Sequence, residues 1–221
     1  MVIAQQITNR QIPVLHPQDD PVDALNLMDQ FRVADLPVVD NGQFMGMISE
    51  TALMSADQIV EEDARFSGSG LLKVSVLPQD HLFEVMKIAT ENHLSVVPVV
   101  AGSGEYVGAI TLEDIVEHVA RMQNAGEPGG IIVLDMGSAD YSLQQISRIV
   151  EENGAKILSV SVLPADQGNV IVTLKINQRD LNAIIQSLHR FNYQIRESYQ
   201  EAEYNDGLQK RYEEFMRFLN I

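Results

Sequence analysis

Two short apolar runs, Leu36-Pro37-Val38-Val39 and Val97-Pro98-Val99-Val100, stand 61 residues apart in the chain. Their length and β-branched content predict buried strands. A helical stripe precedes each: Val22, Leu25 and Met28 before the first, Leu82, Val85, Met86 and Ala89 before the second. Asp20-Pro21 predicts the start of the first helix, with an N-cap acid followed by proline at the first helical position. After each run comes a turn, Asp40-Asn41-Gly42 or Gly102-Ser103-Gly104, and then a second strand over 44–48 or 106–110. Helical patterns resume from Leu53 and over 112–122.

The recurrence extends to sequence identity. Pro17-Gln18-Asp19 returns as Pro78-Gln79-Asp80 at the same offset. After one inserted residue, Met45-Gly46-Met47-Ile48-Ser49 matches Val107-Gly108-Ala109-Ile110-Thr111. Eight positions are identical in one ordered series, so the first half is an internal repeat. Ser67-Gly68-Ser69-Gly70 reads as a flexible joint between the copies. Neither copy alone can bury a good core, so the pair is expected to pack face to face.

Beyond Gly126-Glu127-Pro128-Gly129-Gly130, a linker by composition, the pattern changes. A buried strand at 131–134 leads into a helix over 141–153 carrying Leu143, Ile146, Ile149 and Val150 on one face, with Gly154 as its C-cap. Leu158, Val160 and Val162 are expected on one side of the next strand, Ser159 and Ser161 on the other. Strand 170–176, a helix through Leu181, Ile184, Ile185 and Leu188, and a last strand over 191–199 complete a ferredoxin-like βαββαβ order. The segment 206–221 has a helical stripe of Leu208, Tyr212, Phe215, Met216 and Leu219. The fold class is α+β. Expected divisions are residues 1–60 and 61–125 for the two copies, 126–203 for the third unit and 204–221 for a C-terminal amphipathic helix.

Charge and composition narrow the function. The 221 residues hold 15 basic and 31 acidic side chains, a net charge of −16. Up to residue 124 there are only six basic residues against 18 acidic ones, so no basic domain is hidden and nucleic-acid binding is disfavoured. No cysteine is present, which removes disulfides, thiol catalysis and thiolate metal sites. No run approaches the ~20 apolar residues of a membrane span, and the start lacks signal-peptide character, so a cytoplasmic location is expected. The five histidines form no metal spacing, and no phosphate-binding loop or nucleophile elbow occurs. Glu113, Asp114 and Glu117 fall at helical spacing and read as a solvated acidic face; a metal-dependent nucleotide hydrolase built on them is the enzymatic alternative.

The ordered set Ser75-Val76-x-Pro78, Leu94 to Val100, and Gly108-Ala109-Ile110-Thr111-Leu112-Glu113-Asp114 resembles a CBS domain, and residues 7–56 resemble its partner. Two such domains form a Bateman module. Residues 129–200 resemble an ACT domain, and the order CBS–CBS–ACT is similar to acetoin-utilisation regulators of the AcuB type. The resemblance implies a non-enzymatic sensor that binds an adenosine-containing ligand (AMP, ADP, ATP or S-adenosylmethionine) between the copies and modulates a partner or its own assembly. It implies no required cofactor, no catalytic or metal-binding residue, and a homodimer aided by the ACT-like unit.

Carried over residue by residue, the resemblance makes Asp114 the acceptor for ribose hydroxyls and Thr111 and Ser75 the neighbouring hydroxyls. Val76 belongs to the same site, Val96 and Val97 are adenine contacts, and His93 stands where a phosphate-binding cation is found. The first-copy equivalents Val14, Ser49 and Ala52 lack the carboxylate, so one competent and one degenerate site are expected. Arg32, the counterpart of His93, is a possible phosphate contact across the cleft. In the ACT-like unit Asp140 and Ser142 mark a possible small-molecule site, although a Cβ at Ser142 obstructs close backbone approach and both residues also suit a helix cap. A constitutive dimeric adaptor with a vestigial nucleotide site is the structural alternative.

Overall fold

The computed structural model describes residues 2–56, 66 and 70–200. The expected joint at 67–69, the helix over 206–221 and the divisions at 60/61 and 203/204 lie outside the described residues. The chain separates into two compact units, Met1–His118 and Val119–Ile221. Among the described residues, no helix is long and apolar enough to cross a membrane.

The first unit contains helices α1 (Ala4–Ile7) and α2 (Pro21–Phe31), the hairpin β1 (Asp35–Asp40) and β2 (Gln43–Ser49), then α3 (Glu50–Ala56) and α4 (Leu82–Glu91). A second hairpin, β3 (Val96–Val100) with β4 (Tyr106–Thr111), leads into α5 (Leu112–Met122). The repeated residues make repeated structure. In both Pro-Gln-Asp turns the carboxylate accepts a backbone N–H three residues back: His16 N to Asp19 Oδ2 and Leu77 N to Asp80 Oδ2, each 2.8 Å. The next residue caps the helix: Asp20 accepts from Val22 N at 2.8 Å, and His81 Nδ1 accepts from Phe83 N at 3.2 Å. Both hairpins shift register near the end of their first strand, at Val38/Val39 and Val99/Val100.

The copies interleave. The segment entering the first copy bridges Asn9 to Ala109 on β4, and the segment entering the second bridges Leu72 to Met47 on β2. This crossing explains the recurring glycines. A Cβ on Gly46 would stand 2.6 Å from Leu71 Cβ, and one on Gly108 would collide with Thr8 Cγ2. Both have positive φ, 146° and 153°. At the hairpin tips Phe44 N donates to Gly104 O (3.0 Å) and Tyr106 N to Gly42 O (2.9 Å). Leu15, Leu36, Val38, Met47, Val96 and Ala109 share one core, so residues of both copies close it together. Val22 departs from expectation: it is 61% exposed, whereas Met28 is buried as expected and Ala24 joins it.

In the second unit β5 (Gly130–Gly137), α6 (Leu143–Glu152), β6 (Ile157–Pro164), β7 (Asn169–Ile176), α7 (Asn182–Arg190) and β8 (Gln194–Tyr199) follow in the order βαββαβ. The sheet order is β6-β7-β5-β8 and every neighbouring pair is antiparallel. Ile132, Leu134, Val172 and Leu174 pack from the sheet against Ile146, Ile149, Ile184 and Leu188 of the helices. Gly154, at φ 74°, follows the last turn of α6 as the expected left-handed residue. Leu143 is exposed rather than part of the buried face.

Two strand expectations change. A bulge between Ile157 and Ser159 sets Ile157 opposite Ile176, in line with Val160 and Val162, and takes Leu158 out of that face. The Leu158 carbonyl instead accepts from the Asn124 side chain at 2.9 Å. The last strand begins at Gln194, because Phe191 ends α7 and Asn192 adopts φ 61°.

Candidate functional site

The turn from β4 into α5 is a reciprocal cap. Thr111 donates to Asp114 Oδ2 through both its backbone N–H (2.9 Å) and its hydroxyl (2.7 Å), and Asp114 N donates back to Thr111 Oγ1 (3.0 Å). Oδ1 carries none of these bonds and remains an acceptor. In the first copy only half of this motif exists: Ser49 Oγ accepts from Ala52 N at 3.2 Å, and Ala52 stands where the second copy has Asp114. His118 Nδ1 lies 2.9 Å from the Asp114 carbonyl, which ties the next turn of α5 to the same point.

The other anticipated residues spread over three environments. Val76 is buried; it bridges Val99, and its N–H donates to Pro98 O at 3.0 Å. Val96 and Val97 are 0% exposed, so in this conformation their side chains are closed off. Ser75 is exposed beside Lys73 and lines a cavity of about 230 Å³ with Phe44 and Met45. Arg32 lines a different cavity of about 380 Å³, with Asp29 and Glu50. His93 is exposed and lines neither. Arg32 and His93 do share a backbone role. Each adopts left-handed φ, 54° and 53°, just beyond the end of α2 or α4.

A further cleft was not anticipated. About 720 Å³ lies between the segment Arg10 to Val14 and the stretch Glu105 to Gly108. It is the repeat-related counterpart of the Ser75 cavity, with Val14 at the Ser75 position and Tyr106 at the Phe44 position. The Phe44 and Tyr106 rings stack, 6.5 Å between centroids at 18°. The Tyr106 hydroxyl is buried without a hydrogen-bond partner, and burial pushes its pKa far above the ordinary tyrosine range. A folded-state pKa raised above the unfolded value gives stability that is full below about pH 10 and lost at higher pH. Tyr106→Phe is therefore expected to unfold at an unchanged or slightly higher temperature at pH 7, and to lose less stability than wild type between pH 9 and 11 in urea titrations. An unchanged alkaline slope in the variant would contradict this.

Sequence patterning also missed Asp35. It is 6% exposed and accepts from Ser95 N and from Ser95 Oγ, each at 2.8 Å. The repeat offset places Asp35 where the second copy has Val96. A lone acid in an otherwise apolar strand position was the available signal. In the second unit Ser142 Oγ accepts from Gln145 N at 3.3 Å and N-caps α6, while Asp140 is exposed in the turn before it. Among the described residues, no group of three or more histidine and acidic side chains is placed to hold a metal ion.

Two interleaved strand–helix repeats, with a Thr-x-x-Asp cap at the second strand–helix junction, define a tandem module whose copies share one core. The first part of the chain is a CBS domain pair: the CBS domain model matches residues 4–58 and 73–121. Among curated proteins, an inosine-5'-monophosphate dehydrogenase of Thermoplasma acidophilum is 24% identical over 182 residues, covering 82% of this chain and 36% of that enzyme. The chain spans roughly a third of the length of the curated relatives it matches. Among solved structures, a protein assigned to acetoin utilization (AcuB) from Vibrio cholerae is 26% identical, with a TM-score of 0.48, 58% of this chain and 99% of that chain. CBSX2 in complex with AMP is 20% identical, with a TM-score of 0.47, 55% of this chain and 98% of that chain.

Proposed function

We propose that this protein is a non-enzymatic sensor whose CBS pair binds an adenosine-containing ligand at the second copy. The carrying observation is the Thr111–Asp114 cap. It holds a carboxylate rigidly at a helix start, with Oδ1 free to accept ribose hydroxyls, whereas the first copy has no carboxylate at Ala52. Ser75 supplies a neighbouring hydroxyl, and Lys73 beside it a cation for one phosphate. Val76, Val96 and Val97 form the apolar wall, which the ligand reaches when the β3 edge moves outward. His93 and Arg32 are further phosphate contacts in that opened state. With so few cations nearby, AMP or S-adenosylmethionine suits the site better than ADP or ATP.

The domain limits 1–60, 61–125 and 126–203, the ACT-like identity of the last of these, a small-molecule site at Asp140 and Ser142, a homodimer, a cytoplasmic location and an as yet unknown regulated protein belong to the same proposal. Ligand binding acts by favouring one arrangement of the CBS pair, and its effect is limited by its differential affinity for the two states.

The full chain is expected to gain several degrees of thermal stability with AMP or S-adenosylmethionine, measured by differential scanning fluorimetry. No shift with any of the four adenosyl compounds would overturn the sensor. It would favour a constitutive adaptor, a reading supported by the closed side chains of Val96 and Val97.

A further inference from the structure

Asp35 has no part in the ligand contacts just described, yet it is a buried carboxylate, which is costly unless its oxygens are hydrogen-bonded. Its partners come from the other copy. Oδ2 accepts both the N–H and the hydroxyl of Ser95. The Ser95 hydroxyl in turn accepts from Ala34 N at 2.8 Å, so its donor and its acceptor sides are both engaged within the pair. The Ser95 carbonyl accepts from Leu112 N at 3.1 Å, next to the Thr111–Asp114 cap. One residue thus joins three things: the first copy's carboxylate, the start of β3 with Val96 and Val97, and the first turn of α5.

The connection is directional. The equivalent of Ser95 in the first copy is Ala34, whose carbonyl likewise accepts from Glu50 N at 2.8 Å. Ala34 has no hydroxyl, and Val96 stands where a second carboxylate would have to be. The backbone contacts of the two copies are therefore alike, and the side-chain latch runs only from the first copy to the second.

We propose that Asp35 is a positioning residue that couples the copies: through Ser95 it sets the placement of the second copy's β3 edge and α5 start, and hence the affinity of the second cleft. This rests on the adenosyl reading above for its ligand. It assigns a function to the copy that has Ala52 in place of Asp114.

The experiment uses the full chain as wild type, Asp35→Ala, Asp35→Asn, Ser95→Ala and the double variant Asp35→Ala/Ser95→Ala, with AMP titrated calorimetrically and amide hydrogen exchange followed at Ser95, Leu112 and Glu50. Asp35→Ala is expected to weaken AMP by about tenfold, with Ser95→Ala no worse in its presence than alone. Asp35→Asn, which keeps one acceptor oxygen, is expected to recover most of the affinity. Exchange at Leu112 speeds up in Asp35→Ala while Glu50, the equivalent amide of the first copy, does not. An unchanged AMP affinity and an unchanged Leu112 rate in Asp35→Ala would overturn the coupling. So would additive effects of the Asp35 and Ser95 substitutions. Should Asp35→Ala not fold, Ser95→Ala, which removes the hydroxyl partner of Asp35, carries both readouts, with effects of the same sign expected and no effect on either overturning the coupling. Should wild type bind no AMP, the adenosyl reading fails by itself, and the Leu112 exchange rate alone decides the coupling.

Discussion

Asp114→Ala abolishes the stabilisation of the chain by AMP and also lowers its intrinsic stability by about 1 kcal/mol. Both effects come from one carboxylate. Oδ2 satisfies the Thr111 N–H and hydroxyl at the head of α5, and loss of such a cap costs roughly 0.5–2 kcal/mol. Oδ1 is the proposed acceptor for the ribose hydroxyls. Asp114→Asn separates the two functions. The asparagine side-chain oxygen can still accept from Thr111, so the ligand-free protein is expected to melt within about a degree or two of wild type. Its single acceptor oxygen is taken by Thr111, and its charge is gone, so AMP protection is lost as completely as in Asp114→Ala. At 100 times the dissociation constant that protection amounts to about 2.7 kcal/mol in wild type. Scanning fluorimetry of the three proteins with and without AMP reads both quantities. A full AMP shift in Asp114→Asn would remove Asp114 from the ligand site and leave it as a cap.

Leu174→Ala produces the largest loss of stability and spares ligand binding. Leu174 is 0% exposed on β7, an inner strand of the second unit, opposite Val160 on one side and Ile132 on the other. Truncating a buried leucine removes its transfer free energy and leaves a cavity, together about 2–5 kcal/mol. The second unit has its own core, drawn from both helices and all four strands. Its unfolding transition is expected to fall by many degrees in calorimetry, while the AMP dissociation constant stays within a factor of two of wild type. A parallel loss of AMP affinity would mean that the second unit supports the ligand site.

Much of the fold was legible because local chemistry specified it. The Pro-Gln-Asp turns, the Asp20 cap, the Asn41-Gly42 hairpin turn and the two Leu/Val-Pro-Val-Val strands each rest on interactions within a few residues. The outward turn of Val22, the bulge at Leu158 and the late start of β8 were not legible. Side-chain periodicity assumes a regular element, and a bulge or a left-handed residue shifts the phase without changing composition. For the site, the repeat identified Thr111 and Asp114 as a pair, and the structure joins them directly. It did not identify the cleft beside Arg10, the Lys73 cation or the Asp35–Ser95 latch. All three depend on which segment of one copy crosses the other.

The sequence alone determined the repeat, its strand and helix order, the acidic charge that disfavours nucleic acid, and the asymmetry that sets Asp114 in one copy against Ala52 in the other. These are properties of residues and of their near neighbours. Only the tertiary structure decided that the lead-in segments swap between copies over Gly46 and Gly108, that Val96 and Val97 are closed, and that Asp35 of one copy holds Ser95 of the other. Those contacts join residues about 60 or more positions apart, except for the Leu71 and Leu72 crossing, and no local preference encodes them. They follow from burying two incomplete cores against each other, which leaves a buried carboxylate hydrogen-bonded to a half-buried hydroxyl of the other copy.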